Sequence, residues 1–276
     1  ALLEDDYINQ LFIGSTKDYL LFITNVGKAY WIKVHEIPES ERTSRGAHIK
    51  SLLAVGPDEE ITAVVSLKEF AEDQYLFMTT ANGVVKKVHT TEFSNAKTRG
   101  IIGLKLDTGD KLISAIQTTG STEVMLISRR GKALKIKEDS VRSMGRASRG
   151  IKGMKLAEGD EIAAAVKVEE GTGLILVTEK GHGKRISSDL FSTHGRGTGG
   201  QRIFGNIDGK GEIIGAVSIC DSDEIVCMTS QGKTLRIKAT EIKQQGAGAS
   251  GITIVKVSEP DYLVGIDKVQ EKRDNE

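Results

Sequence analysis

The chain has 276 residues, with 38 Lys and Arg against 38 Asp and Glu, and 38% of its residues are hydrophobic. Such a chain folds as one large or two ordinary domains, and wholesale disorder is excluded. No apolar run approaches the ~20 residues of a membrane span, and nothing at the start reads as a signal peptide. Cys220 and Cys227 cannot make a disulfide framework, so a reducing cytosol is expected. The 31 Gly, 3 Pro and 5% aromatic content predict many tight turns joining short strands.

In chain order, residues 7–15 read as a lone strand, Tyr7 to Gly14, and five similar units follow it. The units cover approximately 19–68, 75–119, 124–169, 174–220 and 224–269. Two glycine series mark them, Gly27, Gly83, Gly131, Gly181, Gly232 and Gly46, Gly100, Gly150, Gly200, Gly251, each recurring roughly every 50 residues. Every unit predicts four strands. Strand a is apolar, as in Val124 to Ser128, and ends in a polar turn whose glycine supplies a positive φ. Strand b alternates with period two, as in Lys132-Ala133-Leu134-Lys135-Ile136-Lys137. A long loop leads to strand c, exemplified by Ile151 to Leu156, and a short acidic turn leads to strand d, Ile162 to Val168.

Four short strands per unit and no helical periodicity predict an all-β fold of propeller-like blades, a single domain over residues 1–276. If d strands pair with the following unit, Tyr7–Gly14 belongs to a further upstream unit and the ring has six blades. The alternative is a five-bladed ring with one frayed strand.

The balanced net charge conceals segregation. Four residues after each turn glycine stand Trp31, Lys87, Lys135, Arg185 and Arg236. Nearby positions of strand b add Lys33, Lys86, Lys137, Lys184 and Lys238. The b-to-c loops add Arg42, Arg45, Lys97, Arg99, Arg142, Arg146, Arg149, Arg196 and Arg202. Acids gather in the c-to-d turns, among them Asp58, Glu59, Asp110, Asp160 and Asp261, which predicts a basic zone and a separate acidic zone. A periodic line of cations fits a curved polyanion, and duplex DNA held through its phosphates meets that description. Arg-Gly pairs such as Arg99-Gly100 and Arg149-Gly150 offer guanidinium forks and backbone amides to phosphate. Lys135, Arg149 and Arg185 together are expected to carry a share of the affinity.

No catalytic constellation accompanies these cations. Gly195 to Gly200 satisfies G-x-G-x-x-G, but it lies between predicted strands with no helix after it, so the dinucleotide reading fails. There is no P-loop, no CxxC, no metal-ligand spacing among the five histidines and no nucleophile elbow. No catalytic, cofactor-binding or metal-binding residue is therefore expected.

The segments Thr80 to Lys87 with Thr91-Glu92-Phe93, Ser140 to Gly145, Ile151 to Asp160, Gly181 to Arg185 and Gly248 to Val257 resemble the C-terminal domain of the bacterial DNA gyrase A protein. The likeness runs from about Asp5 to Val269. It implies a β-pinwheel, a propeller relative with strands exchanged between blades. It also implies binding and wrapping of duplex DNA around a basic perimeter, so that ATP-driven strand passage introduces negative supercoils. The implied partners are duplex DNA, the cleavage core of the same polypeptide and a gyrase B-type ATPase in an A2B2 assembly, in the cytoplasm at the nucleoid. By the same likeness ATP and Mg2+ act elsewhere in the parent enzyme, and this chain has no catalysis of its own. The family's Gln-Arg-Arg-Gly-Gly-Lys-Gly box is absent from the chain, and the strand count places it upstream of Ala1. A parent that had lost the box would relax or decatenate, as topoisomerase IV does. A protein-scaffolding propeller is a more distant alternative, opposed by the phased cations and the lack of Trp-Asp dipeptides.

Overall fold

The computed structural model describes residues 15–40, 46–169 and 171–269. The strand expected at Tyr7–Gly14, and Arg42 and Arg45, lie outside the described residues. Unit 1 runs β1 (Tyr19–Thr24), β2 (Lys28–Lys33), helix α1 (Ile49–Leu52) and β3 (Ile61–Leu67). Unit 2 runs β4 (Tyr75–Thr80), β5 (Val84–His89), β6 (Ile101–Ile102) and β7 (Leu112–Thr118). Unit 3 runs β8 (Glu123–Ser128), β9 (Lys132–Lys137), β10 (Ile151–Lys152) and β11 (Ile162–Val168). Unit 4 runs β12 (Gly173–Thr178), β13 (His182–Ser187), β14 (Gln201–Arg202) and β15 (Ile213–Ile219). Unit 5 runs β16 (Glu224–Thr229), β17 (Thr234–Lys238), β18 (Ile252–Thr253) and β19 (Leu263–Val269).

The a and b strands form an antiparallel hairpin in every unit, and the turn glycines Gly27, Gly83, Gly131, Gly181 and Gly232 all take positive φ. Strand d pairs along the whole of its own strand a, so it does not cross to the following unit as expected. The exchanged strand is c. It shrinks to two residues and adds to the outer edge of strand b in the preceding unit, β6 on β2, β10 on β5, β14 on β9 and β18 on β13. Four blades thus have four strands, and the fifth has three among the described residues, in the order β17-β16-β19. The inner d strands stand side by side around an axial cavity of about 340 Å³ lined by small and aliphatic residues such as Ala63, Ala115, Ala164 and Gly215.

Each seam between blades holds its own apolar cluster. Leu21 and Ile23 of unit 1 pack with Leu76, Met78, Phe93 and Leu104 of unit 2, and the same arrangement recurs at the later seams. The residue two places beyond strand c is the plug of the seam: Leu104, Met154, Phe204 and Val255 are all buried.

The second glycine series marks where the crossing segment meets the preceding hairpin. A β-carbon on Gly150 would stand 2.6 Å from both Val84 Cγ1 and Val85 O, and one on Gly251 would stand 2.7 Å from Gly183 O. Nothing lies within 4 Å of such an atom on Gly145. Gly150→Ala is therefore expected to lower stability by about 1–3 kcal/mol through overpacking, with Gly145→Ala nearly neutral, when both are compared by urea unfolding.

Candidate nucleic-acid interface

The cations of strand b divide by position, and most of them face inward. At the fourth position after the turn glycine, the side chains of units 1 to 4 reach the 3-10 turn that follows strand b in the next unit. Trp31 Nε1 donates to Phe93 O at 3.1 Å, and Lys87 Nζ to Glu138 O at 3.3 Å. Lys135 Nζ donates to Ser188 O at 3.4 Å, and Arg185 Nη1 to Ala239 O at 3.3 Å. Each also has a polar or aromatic partner in its own blade. Trp31 packs edge-on to Tyr19 with ring centroids 5.0 Å apart, and Lys87 lies 4.9 Å over the Tyr75 ring. Lys135 pairs with Glu123 at 3.7 Å, while Arg185 pairs with Asp221 and Arg236 with Glu224. Trp31 is thus no departure from a basic series, because its indole N–H performs the same cross-seam donation.

One position earlier, Lys86 and Lys184 are fully buried. Lys86 Nζ donates to Gly103 O at 2.9 Å, to Ser148 O at 2.8 Å and to Arg146 O. Lys184 Nζ donates to Gly246 O at 2.8 Å and to Ala247 O and Ala249 O at 3.0 Å. Burial pushes both ammonium groups down to about 8, with the Arg146 charge adding to the shift at Lys86. Two of the three carbonyls at Lys86 and all three at Lys184 belong to the b-to-c loop of the following unit, which the ammonium groups hold against the blade. The structure accordingly corrects the expectation that Lys86, Lys87, Lys135, Lys184 and Arg185 meet phosphate, since their charged ends are enclosed by protein. Reversing Lys135 and Arg185 would disrupt seams before it probed any ligand.

A line of exposed cations follows the b-to-c loops and the tails of the c strands. These segments are joined edge to edge around the outside. Ala54 N donates to Thr98 O at 2.9 Å, Lys105 N to Ser148 O at 3.2 Å, Lys155 N to Thr198 O at 2.9 Å and Gly205 N to Ala249 O at 2.9 Å. The belt so formed exposes Lys97, Arg99, Arg142, Arg149, Arg196 and Arg202, with Arg146 half-buried. It also exposes Lys105, Lys152 and Lys155, which lie outside the strand b and b-to-c loop pattern that the sequence suggests. Their signal was available, because Lys105 and Lys155 stand five places after Gly100 and Gly150. Lys137 and Lys238 are exposed at the far end of strand b, away from the belt, and Arg236 lies on the outer strand of the fifth blade.

Two ends flank the belt. At the hairpin end, Asp110, Asp160 and Asp261 each accept a backbone N–H from the adjoining a-to-b turn at 3.1 Å, from Asn82, Arg130 and Gln231. Burial raises the Asp261 carboxyl, but hydrogen bonds from Thr229, Ser230 and Gln231 outweigh it and hold the group below the usual range. These acids are turn caps. The opposite end carries exposed Glu69, Glu72, Asp73, Glu169 and Asp221 in the d-to-a loops. The single acidic zone expected is therefore split: the hairpin end mixes its capping acids with exposed Lys111, Arg130, Lys132, Lys180 and Lys233, and the exposed acids named at the opposite end lie in the d-to-a loops. Gly195–Gly200 is a joint in the belt, its Gly197 N donating to Gly153 O at 2.6 Å. No group of three potential metal ligands occurs among the described residues.

Lys86→Met and Lys184→Met each remove three ammonium-to-carbonyl hydrogen bonds and are expected to cost about 2–4 kcal/mol of stability. Lys105→Met, on the belt, should stay within about 0.5 kcal/mol, and chemical denaturation of the three variants checks the contrast.

Known proteins share this arrangement. The family model "DNA gyrase C-terminal domain, beta-propeller" matches residues 18–68, 74–119, 122–169, 174–220 and 223–270. The chain is 61% identical over 266 residues to the DNA gyrase A protein of Treponema pallidum, covering 96% of this chain and 33% of that protein. It is 39% identical over 273 residues to the DNA gyrase A protein of Salmonella typhimurium, covering 99% and 31%. The chain therefore spans about a third of the length of these curated relatives. A solved DNA gyrase A C-terminal domain superposes with a TM-score of 0.82 at 32% identity, over 92% of this chain and 83% of that one. A solved C-terminal domain of DNA topoisomerase IV gives 0.83 at 28% identity, over 92% and 80%. With five repeats matched in register and most of its length covered, the chain belongs to the DNA gyrase C-terminal domain family.

Proposed function

We propose that this chain is the DNA-binding and DNA-wrapping part of a gyrase A-type protein, and that duplex DNA lies along the loop belt. The observation that carries the reading is the belt itself, a line of exposed Lys and Arg repeated at successive blade junctions. Phosphates are drawn to such a line, and no base-reading element is required. Smooth bending of duplex costs on the order of 1–6 kcal/mol per 20–30 bp, which several phosphate contacts offset.

On this reading the chain contributes no chemistry. It holds a duplex in a curve so that the cleavage core of the parent polypeptide, driven by a B-type ATPase, passes it through a break and introduces negative supercoils. The resemblance in shape is as close to a topoisomerase IV domain, whereas the 61% identity to a gyrase A protein favours the supercoiling parent.

Binding of random-sequence duplex by the isolated chain is expected to weaken with salt along a log–log slope of several units, about 0.9 for each phosphate neutralised. Reversing Arg99, Lys155 and Arg196 to Glu together should reduce that slope by more than about two units and leave the melting temperature within a few degrees. An unchanged isotherm would remove DNA from the belt. A plasmid relaxed in the presence of bound chain should then show a shifted linking number if the duplex is wrapped.

A further inference from the structure

The belt is not uniformly available. Arg149 Nε and Nη2 both donate to Asp107 Oδ2, at 3.0 and 2.5 Å. Three residues earlier Arg146 pairs with Glu92 at 3.6 Å. Two of the three arginines of the unit 3 loop, Arg146 and Arg149, are thus engaged by acids of unit 2. The neighbouring loops differ. Arg99 occupies the place of Arg149 one unit earlier, and the residue standing where Asp107 would be is Gly56. In the following units the places equivalent to Asp107 hold Ala157, Ile207 and Ser258. Arg196, which corresponds to Arg146, donates only to backbone, Ser140 O at 3.2 Å and Lys152 O at 3.4 Å.

We propose that Asp107 is a resident substitute for a DNA phosphate at Arg149, setting the order and strength with which the belt takes up duplex. This rests on the DNA reading above. The carboxylate offers one anionic oxygen, Oδ2, to two nitrogens of the guanidinium, as a phosphate oxygen can, and it does so on the exposed surface, with 66% of the Arg149 side chain and 41% of that of Asp107 open to solvent. An ion pair at such exposure is worth only about 0–1 kcal/mol, so incoming phosphate can displace the carboxylate. The released charge then stays beside the duplex, within the ~8–10 Å over which salt fails to screen it. Duplex therefore seats first at the junctions of units 1 with 2 and 3 with 4, and the junction between units 2 and 3 closes last.

The test is a binding cycle with random-sequence duplex at about 50 mM salt, using the full chain, Asp107→Asn, Arg149→Gln and the double variant. Asp107→Asn is expected to tighten binding about 3- to 10-fold and steepen the salt slope by just under about one unit. In the Arg149→Gln background the same substitution should change affinity by less than about 2-fold. Asp139→Asn, which removes an exposed acid away from Arg149, gives the effect of net charge alone and should also stay below about 2-fold. If Asp107→Asn gains nothing, gains equally without Arg149, or gains no more than Asp139→Asn, the proposal is overturned while the DNA reading stands. If the unaltered chain fails to bind duplex at all, the DNA reading falls and this inference falls with it.

Discussion

Everything outside the hairpins depends on one backbone contact, in which two consecutive N–H groups of a crossing segment converge on the carbonyl of the preceding unit's turn glycine. Gly103 and Leu104 donate to Gly27 O at 2.8 and 3.1 Å, and Gly153 and Met154 donate to Gly83 O at the same distances. Ile203 and Phe204 repeat this on Gly131 O, and Ile254 and Val255 on Gly181 O. A two-residue strand has too little ladder to hold by itself. The plug residue beside it supplies the rest, since burying a Leu, Met or Phe side chain contributes about 1.5–3 kcal/mol. No four-stranded blade is complete without the unit that follows it, so stability is shared between neighbours as in other repeat arrays.

The exchange also decides which cations are inside. To reach the preceding blade, the b-to-c loop must run down that blade's outer edge, pressing carbonyls of Arg146, Ser148, Gly246, Ala247 and Ala249 against a sheet where water cannot serve them. The ammonium groups of Lys86 and Lys184 rise from the blade beneath to meet them, adding to the backbone N–H groups that Ser148, Gly246 and Ala249 also accept. Where the blade offers Tyr30 instead, its hydroxyl bonds Glu59 at 2.8 Å. The cross-seam donors at Trp31, Lys87, Lys135 and Arg185 answer a parallel need at the 3-10 turns. Five of the cations in the apparent DNA-binding pattern, Lys86, Lys87, Lys135, Lys184 and Arg185, are therefore interior wiring of the seams.

The hairpins could be read from sequence because their signals are local: alternation over six residues, then a glycine with the right freedom. The exchange could not, because a two-residue strand has no periodicity and its partner lies roughly 70 residues away. The partition of cations left a trace that was available. Lys86-Lys87 and Lys184-Arg185 are adjacent in strands, and adjacent residues point to opposite faces. In a stack of blades packed on both faces, neither member of such a pair can be assumed to reach solvent. The belt cations needed the loop geometry as well, since Lys105, Lys152 and Lys155 follow strand c and resemble any other exposed lysine until the loops are seen edge to edge.

The geometry of the crossing has a consequence for the path of a bound duplex. Each b-to-c loop leaves the d-to-a end of its own blade, passes the middle of the preceding strand b at Lys87, Lys135 or Arg185, and ends near the hairpin turn. The slant has the same sense at each junction because the exchange always runs from a unit to its predecessor. Cations placed on such loops are displaced along the ring axis as well as around it. A duplex following them over several blades, on the proposed reading, is carried obliquely rather than in a plane, and an oblique path around a curved surface is chiral. The ion-paired loop of unit 3 makes the middle of that path the last part to close. Chirality would then come from the direction of strand exchange, a property of the fold, with the surface charges supplying grip.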